Sequence, residues 1–204
     1  MKIHIVDYGM GNIFSVQKKL LQENVNISVS SLQKDIVNAD KIILLGVGHF
    51  KKAMDNLQEL NLIEPLNKFA LIQKKPILGI CLGMQLMANW SEEGDVSGLG
   101  WVDASVKKFK TLNTKKFKIP HIGWNTVQLL KKSALMHNIK SEEEFYFVHS
   151  FYIEPNDPRI ALNETSYIQN FCSGIEQDNI FGVQYHPEKS HDSGQTLFKN
   201  FLSL

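Results

Sequence analysis

The segment that most constrains the fold is Gly79-Ile80-Cys81-Leu82-Gly83-Met84-Gln85. A short apolar run, Pro76-Ile77-Leu78, leads into it, and a helix-like run, Leu86-Met87-Ala88, follows. A thiol thus stands at a strand-to-helix turn with a glycine two residues away on each side. Such a turn lifts the side chain clear of the sheet, and the glycines let strand and helix pack closely beside it. The helix N-terminus would act twice on the sulfur. Its positive end lowers the thiol pKa, and the Leu82 N–H can donate to a developing oxyanion. Chemistry of this kind runs through a thioester.

The surrounding pattern agrees with a sheet that carries such an elbow. Ile3-His4-Ile5-Val6 reads as a strand, and a helix follows from about Asn12 to Glu23 with Ile13, Val16 and Leu20 on one face. Ile27-Ser28-Val29 is a second strand, and Ile42-Ile43-Leu44-Leu45 a third, apolar on both faces as a central parallel strand must be. Phe50, Ala53, Met54, Leu57 and Leu60 mark a helix, a further helix runs to Lys74-Lys75, and Pro76–Ile80 is the strand before Cys81. This alternation predicts an α/β fold, an open and mostly parallel sheet with helices on both faces. The second half is β-rich: Trp101–Phe109, Lys116–Ile119, Thr126–Leu130, Phe145–His149, Ile160–Asn163, Tyr167–Cys172 and Ile180–Gln184 read as strands, mostly antiparallel additions to the sheet. A last helix carries Leu197, Phe198, Phe201 and Leu202, with Asp192 or Ser193 as its N-cap. Sites in such sheets lie at the carboxyl ends of the strands, where Cys81 falls.

Composition narrows the partners. Lys plus Arg number 22 against 21 Asp plus Glu, a net charge of +1, so neither nucleic acid nor an anionic membrane is expected. Arg159 is the only arginine, which argues against clusters of bidentate phosphate clamps. Two cysteines, Cys81 and Cys172, suit a reducing compartment. The first residues are too soon interrupted by charge for a signal peptide, and no apolar run is long enough to span a bilayer, so the expected location is the cytoplasm.

A cysteine nucleophile needs a base. Of the seven histidines, His186 follows the strand Ile180–Gln184, Pro187 biases it to extended backbone, and Glu188 is placed to accept the imidazole N–H. Cys81, His186 and Glu188 then form a nucleophile, base and orienting carboxylate. Cys81 alone would read as an inert core thiol; the two strand-end motifs together outweigh that reading. A metal site from Cys81, His186 and His191 is disfavoured because Pro187 breaks any helical histidine pair. Gly9-Met10-Gly11 lacks the third glycine of a dinucleotide loop, Phe14 standing there, and reads as a tight turn. Gly46-Val47-Gly48 is a similar turn whose flexible backbone can aim an N–H at the carbon that Cys81 attacks. His4 and Cys172 read as structural.

These motifs resemble the class I, triad-type glutamine amidotransferases, through Gly79–Gln85 and Gln184-Tyr185-His186-Pro187-Glu188-Lys189-Ser190. The finer resemblance is to glutaminase subunits of imidazole glycerol phosphate synthases. It rests on Asp7–Asn12, Gly46–Gly48, Ser91-Glu92-Glu93, Pro120–Asn125 and Tyr146–Ser150, and extends from about residue 3 to residue 203. It implies a single domain over 1–204 with the flavodoxin-like fold of that class. It also implies attack by Cys81 on the carboxamide of L-glutamine, with His186 moving the proton. Leu82, Val47 and Gly48 would form the oxyanion hole, and Gly46 and Gln85 would hold substrate. Ammonia would pass to a separate (β/α)8-barrel cyclase partner, which would meet Asn12, Trp124, Asn125 and Tyr146. His121 and His149 would lie at the site edge or the interface. No cofactor or metal is implied. Leu45 stands where the family usually has proline, which predicts a looser entrance to the Gly46–Gly48 turn, and His49 after it is unusual. Relatives of these subunits also supply ammonia for converting an acetamido sugar to an acetamidino one, an alternative that Leu45 and His49 keep open. A cysteine peptidase or an inactive binding module on the same fold is opposed by Gln85 and Ser91–Glu93.

Overall fold

The computed structural model describes residues 1–113 and 115–204. Its first half is built from β1 (Lys2–Val6), α1 (Ile13–Leu20), β2 (Asn26–Ser30), α2 (Gln33–Val37), β3 (Lys41–Gly46), α3 (Phe50–Glu59), α4 (Ile63–Asn67), β4 (Ile77–Cys81) and α5 (Leu82–Gln85). The second half supplies β5 (Trp90–Ser91), β6 (Val96–Ser97), β7 (Ala104–Lys108), β8 (His121–Leu129), β9 (Glu143–His149), β10 (Phe151–Pro155), β11 (Ala161–Ser166), β12 (Asn170–Gln177), β13 (Ile180–Val183) and α6 (His191–Ser203).

The strands run in the order β2-β1-β3-β4-β13-β12-β10-β7-β5-β6, with β11, β8 and β9 branching from β12. The first five are parallel, and β12, β10 and β7 continue antiparallel. β3, β4 and β13 are buried at every position, because helices cover both faces of the parallel part. Alternate residues serve opposite layers: Ile42 and Leu44 pack with Phe50, Ala53 and Leu57 of α3, while Ile43 and Leu45 pack with Val16 and Leu20 of α1 and Leu197, Phe198 and Phe201 of α6. Lys41 enters the rim of this second layer and donates to the carbonyls of Phe201, Leu202 and Leu204 at 2.7–2.8 Å.

The expected α/β architecture is present, with several local departures. The helix after Cys81 is a single turn. Leu86, Met87 and Ala88 instead accept from the N–H groups of Leu99, Trp101, Val102 and Gly100, which ends the helix, so few peptide dipoles align behind the sulfur. The helix expected up to Lys75 stops at Asn67 and continues as a π turn over Lys68–Ile72. Lys116–Ile119 is not a strand despite its alternation. Trp101 lies outside β7 and donates from Nε1 to Asn67 Oδ1 at 2.7 Å. Tyr167–Gln169 form the turn between β11 and β12. Helix α6 has Ser190 at its N-cap position, ahead of Asp192 and Ser193, with no side-chain capping bond among the described residues. Its Gly194 lies so close to the preceding loop that a Cβ there would stand 1.9 Å from Pro187 O.

Candidate active site

Three neighbouring strand ends converge. β3 ends at Gly46, paired with Cys81 at the end of β4, and β13, also paired with β4, delivers Gln184, Tyr185 and His186. The parallel register therefore sets the turn, the thiol and the imidazole side by side.

Cys81 has φ +54° and ψ −111°, a backbone state that costs a non-glycine residue about 1–3 kcal/mol. The glycines two residues away make this turn feasible. A Cβ on Gly83 would stand 1.7 Å from Leu44 O, and one on Gly79 2.7 Å from the Met84 backbone. The sharp turn and the absent side chains press α5 against β3 and β4, leaving Cys81 5% exposed at the cleft.

His186 is 2% exposed, and its main-chain N–H donates to Tyr146 O at 2.8 Å. Its Nδ1–H donates to Glu188 Oε1 at 2.7 Å, which leaves Nε2 without a protein partner among the described residues. Ser190 secures the loop by donating to His186 O at 2.6 Å while accepting from Tyr146 N at 3.0 Å. Burial alone would lower the His186 pKa; the Cys81 sulfur and the Glu188 carboxylate outweigh it and push the pKa up to about 10. The imidazole is thus suited to hold a proton beside the sulfur.

A cleft of about 270 Å³ opens over the sulfur, lined by Val47, Gly48, Leu82, Gln85, Glu93 and the Val148–Phe151 segment, among others. Gln85 is held by two bonds from Nε2, to Phe151 O and to Gln184 Oε1, both 2.9 Å. Gln184 Nε2 in turn lies 3.5 Å from Cys81 Sγ. Gly48 has φ +114°, and the Val47 and Gly48 N–H groups make no hydrogen bond among the described residues. Leu45, expected to loosen this turn, is a regular residue of β3, 3% exposed and packed in the core, so the freedom begins only at Val47. His49 caps α3, accepting from Lys51 N at 3.2 Å.

Two residues near the sulfur, Gln184 and Glu93, had no role of their own in the sequence reading, and a third, His149, was expected only at the site edge or the interface. Gln184 buttresses both Gln85 and the sulfur, and its position within the His186 motif was its only signal. Glu93 accepts from Phe50 N at 2.7 Å, fixing the start of α3 just beyond the glycine turn. His149 lines the cleft and donates from Nδ1 to Phe151 O at 2.8 Å. It accepts at Nε2 from His121 Nδ1 at 3.0 Å, while Asn125 Nδ2 reaches His121 Nε2 at 3.3 Å. His121 stacks between Phe147 and Tyr167. Burial pushes the pKa of His121 down to about 4 and that of His149 to about 3, so both are neutral and unsuited to act as bases.

The residues expected at a partner surface divide. Trp124 is 43% exposed, stacked on His191 at 4.8 Å and edge-on to Tyr146 at 6.0 Å. Asn12 is exposed and caps α1, accepting from Ser15 N. Asn125 turns inward to His121 and to Ser166 O.

A thiol beside an imidazole, with a turn of unpaired amides lining the same small cleft, suits acyl transfer, and the chain belongs to the class I glutamine amidotransferase family, whose pattern matches residues 4–204. It is an enzyme that hydrolyses glutamine. Among curated proteins it is similar to the imidazole glycerol phosphate synthase subunit HisH 2 of Methanococcus maripaludis, 46% identical over 98% of each chain. The subunit HisH of Pelagibacter ubique is 43% identical over 100% of each, and HisH 2 of Pseudomonas aeruginosa 41% over 99% of each. Solved structures share the fold. A crystal structure of a glutamine amidotransferase has a TM-score of 0.76 at 12% identity, covering 98% of this chain and 97% of its own. Another, of a glutamine amidotransferase from Thermotoga maritima, has a TM-score of 0.66 at 16% identity, covering 100% and 83%.

Proposed function

We propose that this chain is the glutaminase subunit of an imidazole glycerol phosphate synthase, with Cys81, His186 and Glu188 as its catalytic triad. The observation that carries the mechanism is the parallel pairing that sets the ends of β3, β4 and β13 side by side, the first two opening onto the cleft. The Cys81 thiolate attacks the carboxamide carbon of L-glutamine, and the carbonyl oxygen becomes an oxyanion. The Leu82 N–H and an N–H of Val47 or Gly48 receive that charge, while Gly46 and Gln85 shape the pocket for substrate. Loss of the thiolate removes the larger of the two influences that raise the His186 pKa, Glu188 keeping the other, so the imidazolium becomes a stronger acid just as ammonia leaves and takes its proton. Water, deprotonated by His186, then cleaves the γ-glutamyl thioester to glutamate and frees the thiol. Glu188 keeps the proton-transferring nitrogen aimed at the sulfur.

The freed ammonia serves a (β/α)8-barrel cyclase partner in histidine biosynthesis, where it completes the imidazole ring of imidazole glycerol phosphate. The long identity with three HisH subunits supports this reading. A heterodimer surface around Asn12, Ile122, Trp124 and Tyr146 suits it, since Ile122 and Trp124 share one face of β8 and are 59% and 43% exposed. The sugar-modifying alternative gains nothing from Leu45 or His49, whose local roles are core packing and helix capping.

The test measures glutamate release with and without the barrel synthase and its ligand. Wild type should be slow alone and strongly stimulated in the complex; fast partner-independent turnover would count against the assignment. Cys81→Ala should lose at least about 10⁴-fold in glutamine-dependent activity, the size seen when a triad nucleophile is removed. It should leave the partner's use of free ammonium intact. Failure to restore growth without histidine in a strain lacking its own subunit would turn the assignment toward the sugar pathway.

A further inference from the structure

The Tyr8 hydroxyl has no place in the mechanism above, yet it lies beside its adjustable part. Tyr8 follows β1, the strand that flanks β3. It is 1% exposed, and its Oη has no hydrogen-bond partner among the described residues. A Cβ built on Gly46 would stand 2.2 Å from that oxygen, so the hydroxyl lies directly against the Gly46 backbone. Asn56 Nδ2 donates to Tyr8 O at 2.8 Å and pins the tyrosine main chain, so the ring cannot easily withdraw. Burial, and then the charge at Cys81, push the Tyr8 pKa up, which keeps the phenol protonated and a donor.

A buried hydroxyl without an acceptor is costly and is relieved by any acceptor brought to it. Beside it lies the Gly46–Gly48 turn, whose Val47 and Gly48 N–H groups are unpaired among the described residues. In a trans peptide the N–H and C=O point in opposite directions. Turning an N–H of this segment out into the cleft therefore turns a carbonyl inward, to the side where Tyr8 Oη waits. We propose that Tyr8 is a positioning residue: its hydroxyl donates to an inward-turned carbonyl of the Gly46–Gly48 turn and so stabilises the orientation in which the turn binds the oxyanion. Tyr8 does not line the cleft and touches no substrate. The absent side chain at Gly46 makes the approach possible.

The inference rests on the glutaminase reading, and one experiment separates the two. Wild type and Tyr8→Phe, each as the full chain with the barrel synthase, are assayed for glutamate release, for Cys81 alkylation by iodoacetamide and for denaturation midpoint. The latch predicts that kcat falls about three- to tenfold, a tenfold fall being about 1.4 kcal/mol. The KM for glutamine should stay within about twofold, because the interaction is made in the transition state. Alkylation, which needs no oxyanion hole, should be unchanged. The midpoint should hold or rise, because the variant deletes an unpaired buried hydroxyl. A purely structural tyrosine would instead lower the midpoint along with activity. An unchanged kcat in an active system, a fall in alkylation matching that in kcat, or a variant that does not fold each overturns the latch. No glutamate release from wild type overturns the glutaminase reading, and the latch with it.

Discussion

The ends of β3 and β4 lie side by side, Gly46 paired with Cys81, and they are built in opposite ways. At the end of β4 a non-glycine residue is forced to φ +54° and is flanked by glycines whose space is filled by neighbouring backbone. Everything around the sulfur is then fixed: Gln184 contacts it, Gln85 is doubly bonded, and His186 is tied to Glu188, Tyr146 and Ser190. One residue beyond the end of β3, the Val47 and Gly48 N–H groups have no partner among the described residues. Val47 is 42% exposed, Gly48 takes φ +114°, and the next hydrogen bonds are those by which His49 and Glu93 cap α3. The nucleophile is held ready, and the oxyanion donor is left to be set. A glutaminase that must not waste glutamine gains from this division, because ammonia release can be governed at the turn without disturbing the thiol.

Substitutions at glycine break the comparison most directly. Gly83→Ala places a methyl 1.7 Å from Leu44 O, a backbone atom that cannot give way, and should cost about 3 kcal/mol or more of stability. Urea unfolding measures it; a loss under about 1 kcal/mol would mean that the elbow is softer than its geometry implies. Gly48→Ala should behave differently. Its methyl meets Met10 Cε at 2.9 Å, the end of a flexible side chain, and its strain at φ +114° falls on a segment outside the core. Stability should change by no more than about 1–2 kcal/mol. Glutaminase kcat should fall about 10- to 100-fold, somewhat less than the loss of a whole oxyanion donor. Equal effects on folding and turnover at both glycines would erase the distinction between the two strand ends.

The elbow and the His186 loop were legible because their chemistry is local: glycines at fixed spacing, a proline and a carboxylate within two residues of a histidine. The middle of the parallel half was legible for the same reason, Ile42–Leu45 and Ile77–Cys81 being short apolar runs. What the chain concealed depends on partners distant in sequence. Lys116–Ile119 alternates like a strand but finds no neighbouring edge. Leu86–Ala88 has helical composition, yet its carbonyls are taken by the 99–102 loop, which ends the helix after one turn. The amide pair Gln85–Gln184 joins residues ninety-nine positions apart. The His149–His121–Asn125 chain crosses two strands and is visible only once they pair.

That histidine chain offers the smallest effect and a test of the cleft's third wall, Val148–Phe151. Unfolded, each histidine titrates near about 6.5. Folded, His121 and His149 are held down at about 4 and about 3 by burial. Between these limits the unfolded chain takes up protons that the folded protein refuses, so stability is full above pH 6.5 and falls as the pH drops toward 4. The loss approaches about 1.4 kcal/mol per pH unit for each histidine, or about 2 kcal/mol between pH 7 and 5. His186 has the opposite sign: its pKa is raised to about 10, so its contribution is full below about 6.5 and is lost as the pH climbs toward 10. His149→Gln retains a donor for Phe151 O and an acceptor for His121, so urea unfolding of this variant should show an acid limb shallower by about one proton with an unchanged alkaline limb. Cys81→Ala should do the reverse, because the sulfur that holds up the His186 pKa is gone while the buried histidine pair remains. If His149→Gln leaves the acid limb as steep as in wild type, the relay is solvated, and the wall behind the cleft belongs with the adjustable turn and not with the fixed elbow.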